Sequence, residues 1–100
     1  MNKDFFKKQL EEIISDYLII KSKAKNKDLS GNIAIEDISH LLSKSKAAIA
    51  RIAGKNSEYY KDIEAILKRT NIRIGYKLRY IIGTISALKS DLENDYLKSY

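Results

Sequence analysis

The chain has 100 residues, 44% of them hydrophobic and 32% charged, with 19 Lys and Arg against 13 Asp and Glu for a net charge of +6. That length supports one modest core, not two. There is no cysteine, no proline and no tryptophan, with 1 histidine and 4 glycines. This composition excludes disulfides, thiolate metal sites, thiol catalysis and histidine clusters, and is poor in the turn residues that a many-stranded sheet needs.

The first helix is expected over about 2–25. Phe6, Leu10, Ile13, Tyr17, Ile20 and Ala24 follow at intervals of 4, 3, 4, 3 and 4, which aligns them on one helical stripe. Ile14 and Leu18 widen it, and three consecutive apolar residues, Leu18 to Ile20, do not fit the alternation of a strand. Lys7, Lys8, Gln9, Glu11 and Glu12 interrupt any secretory signal, and apolar runs such as Tyr17–Ile20 are far shorter than the ~20 residues of a membrane span. A cytoplasmic protein with no membrane contact is the expectation. Lys25 to Asn32 is polar and ends in Ser-Gly-Asn turn chemistry, so it reads as a loop.

The second helix is expected over 35–53, with Ile38, Leu42, Ser45, Ile49 and Ile52 along its seam. Glu36 and Asp37 in its first turn and Arg51 and Lys55 near its end suit the helix dipole. Gly54 is placed to stop it, and Asn56 or Ser57 to cap the third helix, over 58–69. Tyr59, Tyr60, Ile63, Ile66 and Leu67 form the apolar face of the third helix.

Asn71 is a candidate cap for the fourth helix, expected to be the longest, over 72–98. Ile74, Leu78, Ile81, Ile85, Leu88 and Leu92 repeat the spacing of 4, 3, 4, 3 and 4. At that length it would span about 40 Å. Gly75 and Gly83 lie inside it and cost roughly 1 kcal/mol each relative to Ala. Gly83 and Ala87 share a face and would let a neighbouring helix approach closely. The apolar stripe runs on to Tyr96 and Leu97 without a glycine stop. Gly83, Ala87, Leu88, Leu92 and Tyr96 are therefore candidates for helix packing or a partner interface. Four apolar faces with short connections make an irregular antiparallel four-helix bundle, one domain over 1–100, in which the long first and fourth helices overhang the others.

Two stretches carry a resemblance: Arg51-Ile52-Ala53-Gly54-Lys55-Asn56-Ser57-Glu58-Tyr59-Tyr60, and Ile82-Gly83-Thr84-Ile85-Ser86-Ala87-Leu88-Lys89-Ser90-Asp91-Leu92-Glu93 with Tyr96-Leu97 after it. Together they resemble the N-terminal region of a family of uncharacterised bacterial helical proteins. There an RIAG-SEYY-like motif precedes a GxLxALxxDLExxYL-like motif, and a second helical half follows. The resemblance covers about residues 51–100. It implies the N-terminal part of a longer protein, or a shortened relative that keeps the interaction part, and it transfers no catalytic residue.

The first candidate site is basic. Lys68, Arg69, Arg73, Lys77 and Arg79 form a stretch without an acid, interleaved with Tyr76 and Tyr80. Cations neutralise phosphates and rings stack on bases, which is what a nucleic-acid surface needs. Arg51 and Lys55 join this candidate set for an anionic partner if the fold brings them to it. Lys21, Lys23, Lys25 and Lys27 alternate too quickly to share one helix face, and read as cations around a helix end. Glu12 with Asp16, and Asp37 with His40, have metal-compatible spacing but no second copy, so no metal and no cofactor is expected. Tyr59 and Tyr60 read as core and boundary aromatics with hydroxyls at the rim. Nothing assembles a nucleophile, a base and an oxyanion donor, so the chain is read as no enzyme with no small-molecule substrate. The leading expectation is a non-catalytic protein-interaction domain that binds a protein partner or forms a homodimer. The alternatives are a module that binds the nucleic-acid phosphate backbone, and a small inhibitor encoded by a phage or mobile element.

Overall fold

In the computed structural model, which describes residues 3–95, four helices follow in order: α1 (Lys3–Lys23), α2 (Ile35–Ala53), α3 (Glu58–Lys68) and α4 (Ile74–Glu93). They form the expected irregular antiparallel four-helix bundle, with no strand among the described residues. α2 and α4 pack together at the centre, and α1 and α3 each lie against both of them. None of the helices is long and apolar enough to cross a membrane among the described residues.

The stripes meet as their spacing predicts. Leu10 and Ile13 of α1, Ile49 of α2, Ile63 of α3, and Leu78, Ile81, Ile85, Leu88 and Leu92 of α4 are fully buried. Removing each such side chain from water contributes about 1.5–3 kcal/mol. Ser45, the polar member of the α2 seam, is also buried, and its hydroxyl donates to the Leu41 carbonyl at 2.8 Å. That bond removes the penalty of an unpaired buried hydroxyl.

The helix ends account for the turns. Gly54 ends α2 at φ 92°, a conformation that other residues resist. Ser57, not Asn56, caps α3: its hydroxyl accepts the Tyr60 N–H at 3.2 Å. α4 starts after Arg73 with no side-chain cap, so Asn71 does not serve.

Four boundaries differ from expectation, the first being the start of α4, at Ile74 instead of 72. α1 ends at Lys23, because the amides of Lys25 and Asn26 turn away to the Ser30 carbonyl, both at 3.2 Å. α3 ends at Lys68, with Arg69 already extended. α4 ends at Glu93. Asn94 donates its side-chain amide to the Ser90 carbonyl at 2.8 Å, and Asp95 adopts φ 58°. Asn and Asp tolerate such local turns, so a helix stop exists without glycine. α4, at 20 residues, is shorter than α1 at 21, and α2 has 19. The expected overhang of two long helices therefore reduces to one short helix, α3, with 11 residues. Tyr96 and Leu97 lie outside the described residues.

The loop between α1 and α2 is folded onto α4. The Asp28 carboxylate accepts the Ser30 N–H at 3.1 Å and the Ser30 hydroxyl at 2.6 Å. Leu29, at φ 64°, inserts its side chain into the core. The Asp28 carbonyl rests on Gly75, where a Cβ would stand 1.6 Å from that oxygen. Gly75 is thus a seat for the loop, not merely a weak point in the helix.

Candidate anion-binding surface

The antiparallel order puts the α1–α2 loop and the α3–α4 connection at one end of the bundle. Lys68 and Arg69 are exposed there, at the close of α3. Three other cations of the predicted stretch are tied to backbone or loop. Lys77 donates to the Leu67 carbonyl at 3.0 Å, closing the C-terminal end of α3. Arg73 pairs with the Asp28 carboxylate at 2.8 Å. The Ser30 hydrogen bonds, and then Arg73, hold the Asp28 carboxyl below its ordinary value. Arg79 donates to the Lys27 carbonyl at 3.1 Å.

Arg51 and Lys55 do not join them. They lie at the other end, beyond the length of α3, which is about 16 Å. Arg51 reaches across to the Gln9 side chain at 2.8 Å, and Lys55 is exposed in the turn after α2.

The fold instead merges Arg79 with lysines that the alternation argument had set aside. Lys21, Lys25, Lys27 and Arg79, with Tyr17, Asn26 and Leu29, line a cavity of about 380 Å³ that contains no acid. None of these four cations has a carboxylate partner among the described residues, whereas Arg73 and Lys89 each have one and Lys44 has two. The local reason is the early end of α1. Lys25 already lies outside the helix with its amide turned to the Ser30 carbonyl, and the chain doubles back there, so that Lys25 and Lys27 face the same space as Lys21. Lys23 points elsewhere, into a groove with Asp37 and His40. The return of Lys27 and the arrival of Arg79 depend on tertiary structure.

Arg79 also borders a second concavity. Between α3 and α4 a groove of about 620 Å³ is lined by Glu58, Tyr59, Asp62, Arg79, Tyr80, Gly83, Thr84 and Ala87. A Cβ at Gly83 would meet nothing, so among the described residues no helix uses the small pair Gly83 and Ala87 for close approach. Leu88 and Leu92 face the opposite way and are fully buried in the bundle, which leaves them unavailable to a partner. Tyr76 and Tyr80 are exposed, at 44% and 55%, and the Arg79 guanidinium stands 5.7 Å from the centre of the Tyr76 ring. The Tyr59 hydroxyl donates to the Asp91 carboxylate, joining the two stretches that carry the family resemblance. Burial first, and then Asp91, push the Tyr59 phenol up to about 12.

Of the acids with metal-compatible spacing, Glu12 and Asp16 are engaged by a lysine. Glu12 and Asp16 both accept from Lys44, at 2.5 and 3.2 Å, and the Glu12 bond leads in raising the Lys44 ammonium above its ordinary value. His40 is exposed, and no group of three metal-ligating side chains forms among the described residues. No protein-family model, no curated protein and no solved structure matches the chain.

Proposed function

We propose that this chain is a non-catalytic helical binding domain whose partner is polyanionic, the phosphate backbone of a nucleic acid in the cytoplasm. The observation that carries the reading is the acid-free cavity of Lys21, Lys25, Lys27 and Arg79. Four like charges around one small space repel one another, and a bound phosphate removes that repulsion. Lys68 and Arg69 extend the positive field at the same end.

Fluorescence anisotropy with a labelled oligonucleotide at two salt concentrations tests it. Four phosphate contacts predict a loss of roughly a hundredfold in affinity between about 50 and about 200 mM salt. Lys21→Glu with Lys25→Glu weakens binding and flattens the salt slope by about two contacts. No binding at the lower salt, or unchanged affinity in the double variant, refutes the reading.

A second reading, a protein-interaction domain, is favoured by the open floor of the α3–α4 groove at Gly83 and Ala87. In its self-association form it predicts a mass that rises with concentration in light scattering, and that returns to one chain in Gly83→Leu. A single-chain mass at every concentration removes that form.

A further inference from the structure

We infer that the nucleic acid is single-stranded, with two successive bases stacked on Tyr76 and Tyr80 while the adjoining phosphates occupy the Lys21–Lys25–Lys27–Arg79 cavity. The inference rests on the proposed polyanion reading and names the substrate class for the same surface.

Tyr76, Arg79, Tyr80 and Gly83 are spaced 3, 1 and 3 apart, so they share the outward face of α4. The two rings are one helical turn apart, a rise of about 6 Å along the axis. Both are exposed, although most large apolar side chains of α4 are in the core. Arg79 stands between them in sequence and lines both the basic cavity and the α3–α4 groove. Its guanidinium gives one N–H to the Lys27 carbonyl and has further donors for a phosphate. Gly83 leaves the space beside Tyr80 open, because no Cβ and no neighbouring side chain fills it. Charge that tracks a backbone, with aromatic faces beside it, is the arrangement that binds single strands. Paired bases in a duplex are already stacked and offer no free face. The tyrosines have no sequence-reading role here, since every base presents a ring face.

The test compares a labelled thymidine single strand with a duplex of equal length, both by anisotropy with the full chain. Tyr76→Ala and Tyr80→Ala are each expected to lower single-strand affinity roughly tenfold, to leave duplex affinity unchanged, and to keep the salt slope. Both side chains are exposed, so the folded state is checked simply, by circular dichroism. The chain has no tryptophan. Tyr76→Trp or Tyr80→Trp therefore introduces a unique fluorophore, and its quenching on adding the single strand reports stacking directly. Equal losses on strand and duplex, or no loss with no quenching, overturn the single-strand inference while the phosphate reading stands. Absence of any binding, by a folded chain at low salt, overturns both.

Discussion

The two ends of the bundle manage charge differently. At the end that holds the α2–α3 turn, cations are engaged by side chains of the same or a neighbouring element. Lys3 meets Asp95 at 2.7 Å, Lys7 and Lys89 both reach Glu93, and Arg51 is taken up by Gln9. At the end that holds the α1–α2 loop, Asp28 is the acid that pairs, with Arg73. There Lys77 and Arg79 donate to backbone carbonyls, which leaves their positive charge uncancelled. Exposed ion pairs add little stability at either end. What differs is the field outside: one end is nearly neutral, and the other projects a net positive potential toward solvent. Charge that folding does not consume is the better guide to a binding surface.

The largest expected effect contrasts two glycines of α4. Gly75→Ala places a methyl group 1.6 Å from the Asp28 carbonyl oxygen, so the loop must lift from the helix. A loss of roughly 3 kcal/mol is expected, seen as a melting temperature lower by about 12 to 24 °C. Oligonucleotide affinity falls with it, because Lys25 and Lys27 ride on that loop. Gly83→Ala meets nothing, and is expected to stabilise α4 by about 1 kcal/mol and raise the melting temperature by about 4 to 8 °C. Thermal denaturation of the two variants decides the matter. Stabilisation by Gly75→Ala would show that the loop is not seated there.

These glycines also mark how far the sequence could be read. The bundle was legible because the helices repeat an apolar interval that only a helix satisfies. Leu10, Ile13, Ile49, Ile63 and Ile85 lie in the core as that pattern requires. Gly75 and Gly83 look alike in sequence, each an interruption of a helical stripe. Their opposite roles depend on where the α1–α2 loop comes to rest, and no local spacing records that. The site was half legible for the same reason. The stretch from Lys68 to Arg79 was visible as unbalanced charge. Its tie to Lys21, Lys25 and Lys27 required the chain to double back after Lys23. Arg51 and Lys55 were separated from it by the length of α3, a distance fixed by topology. The end of α4 was misread because Asp95 makes the left-handed turn usually given to glycine.

A smaller effect comes from acid. The Ser30 hydrogen bonds, and then Arg73, hold the Asp28 carboxyl below its ordinary value of 3.8. A lowered value in the folded state means that the carboxylate's stabilising contribution is complete above about 4. It is lost as the pH falls through the folded value. The loop end should therefore loosen in acid before the core does. Amide protection at Ser30 and Leu29 measures this, with Asp28→Asn as the variant that has lost the response. Glu93 is also held low, first by Lys89, but that pair lies along one exposed helix face. Its protonation should leave core protection unchanged. Simultaneous loosening of both ends would remove the distinction between them.

The smallest effect is at high pH, on the paired end. Tyr59 gives its hydroxyl proton to a hydrogen bond with Asp91, and burial together with that carboxylate pushes the phenol up to about 12. A raised value means the neutral phenol is favoured by the fold. Its contribution is whole below about 10 and disappears as the pH rises through about 12. Phenolate absorbance should show one lagging component, which titrates near about 12. Tyr59→Phe should delete the lagging component. Asp91→Asn should bring it earlier without restoring the ordinary value, because burial is the larger cause. Neither change touches the cations at the opposite end, so oligonucleotide affinity and its salt slope should stay as they are. A change in either would mean that Tyr59 and Asp91 themselves belong to the binding surface.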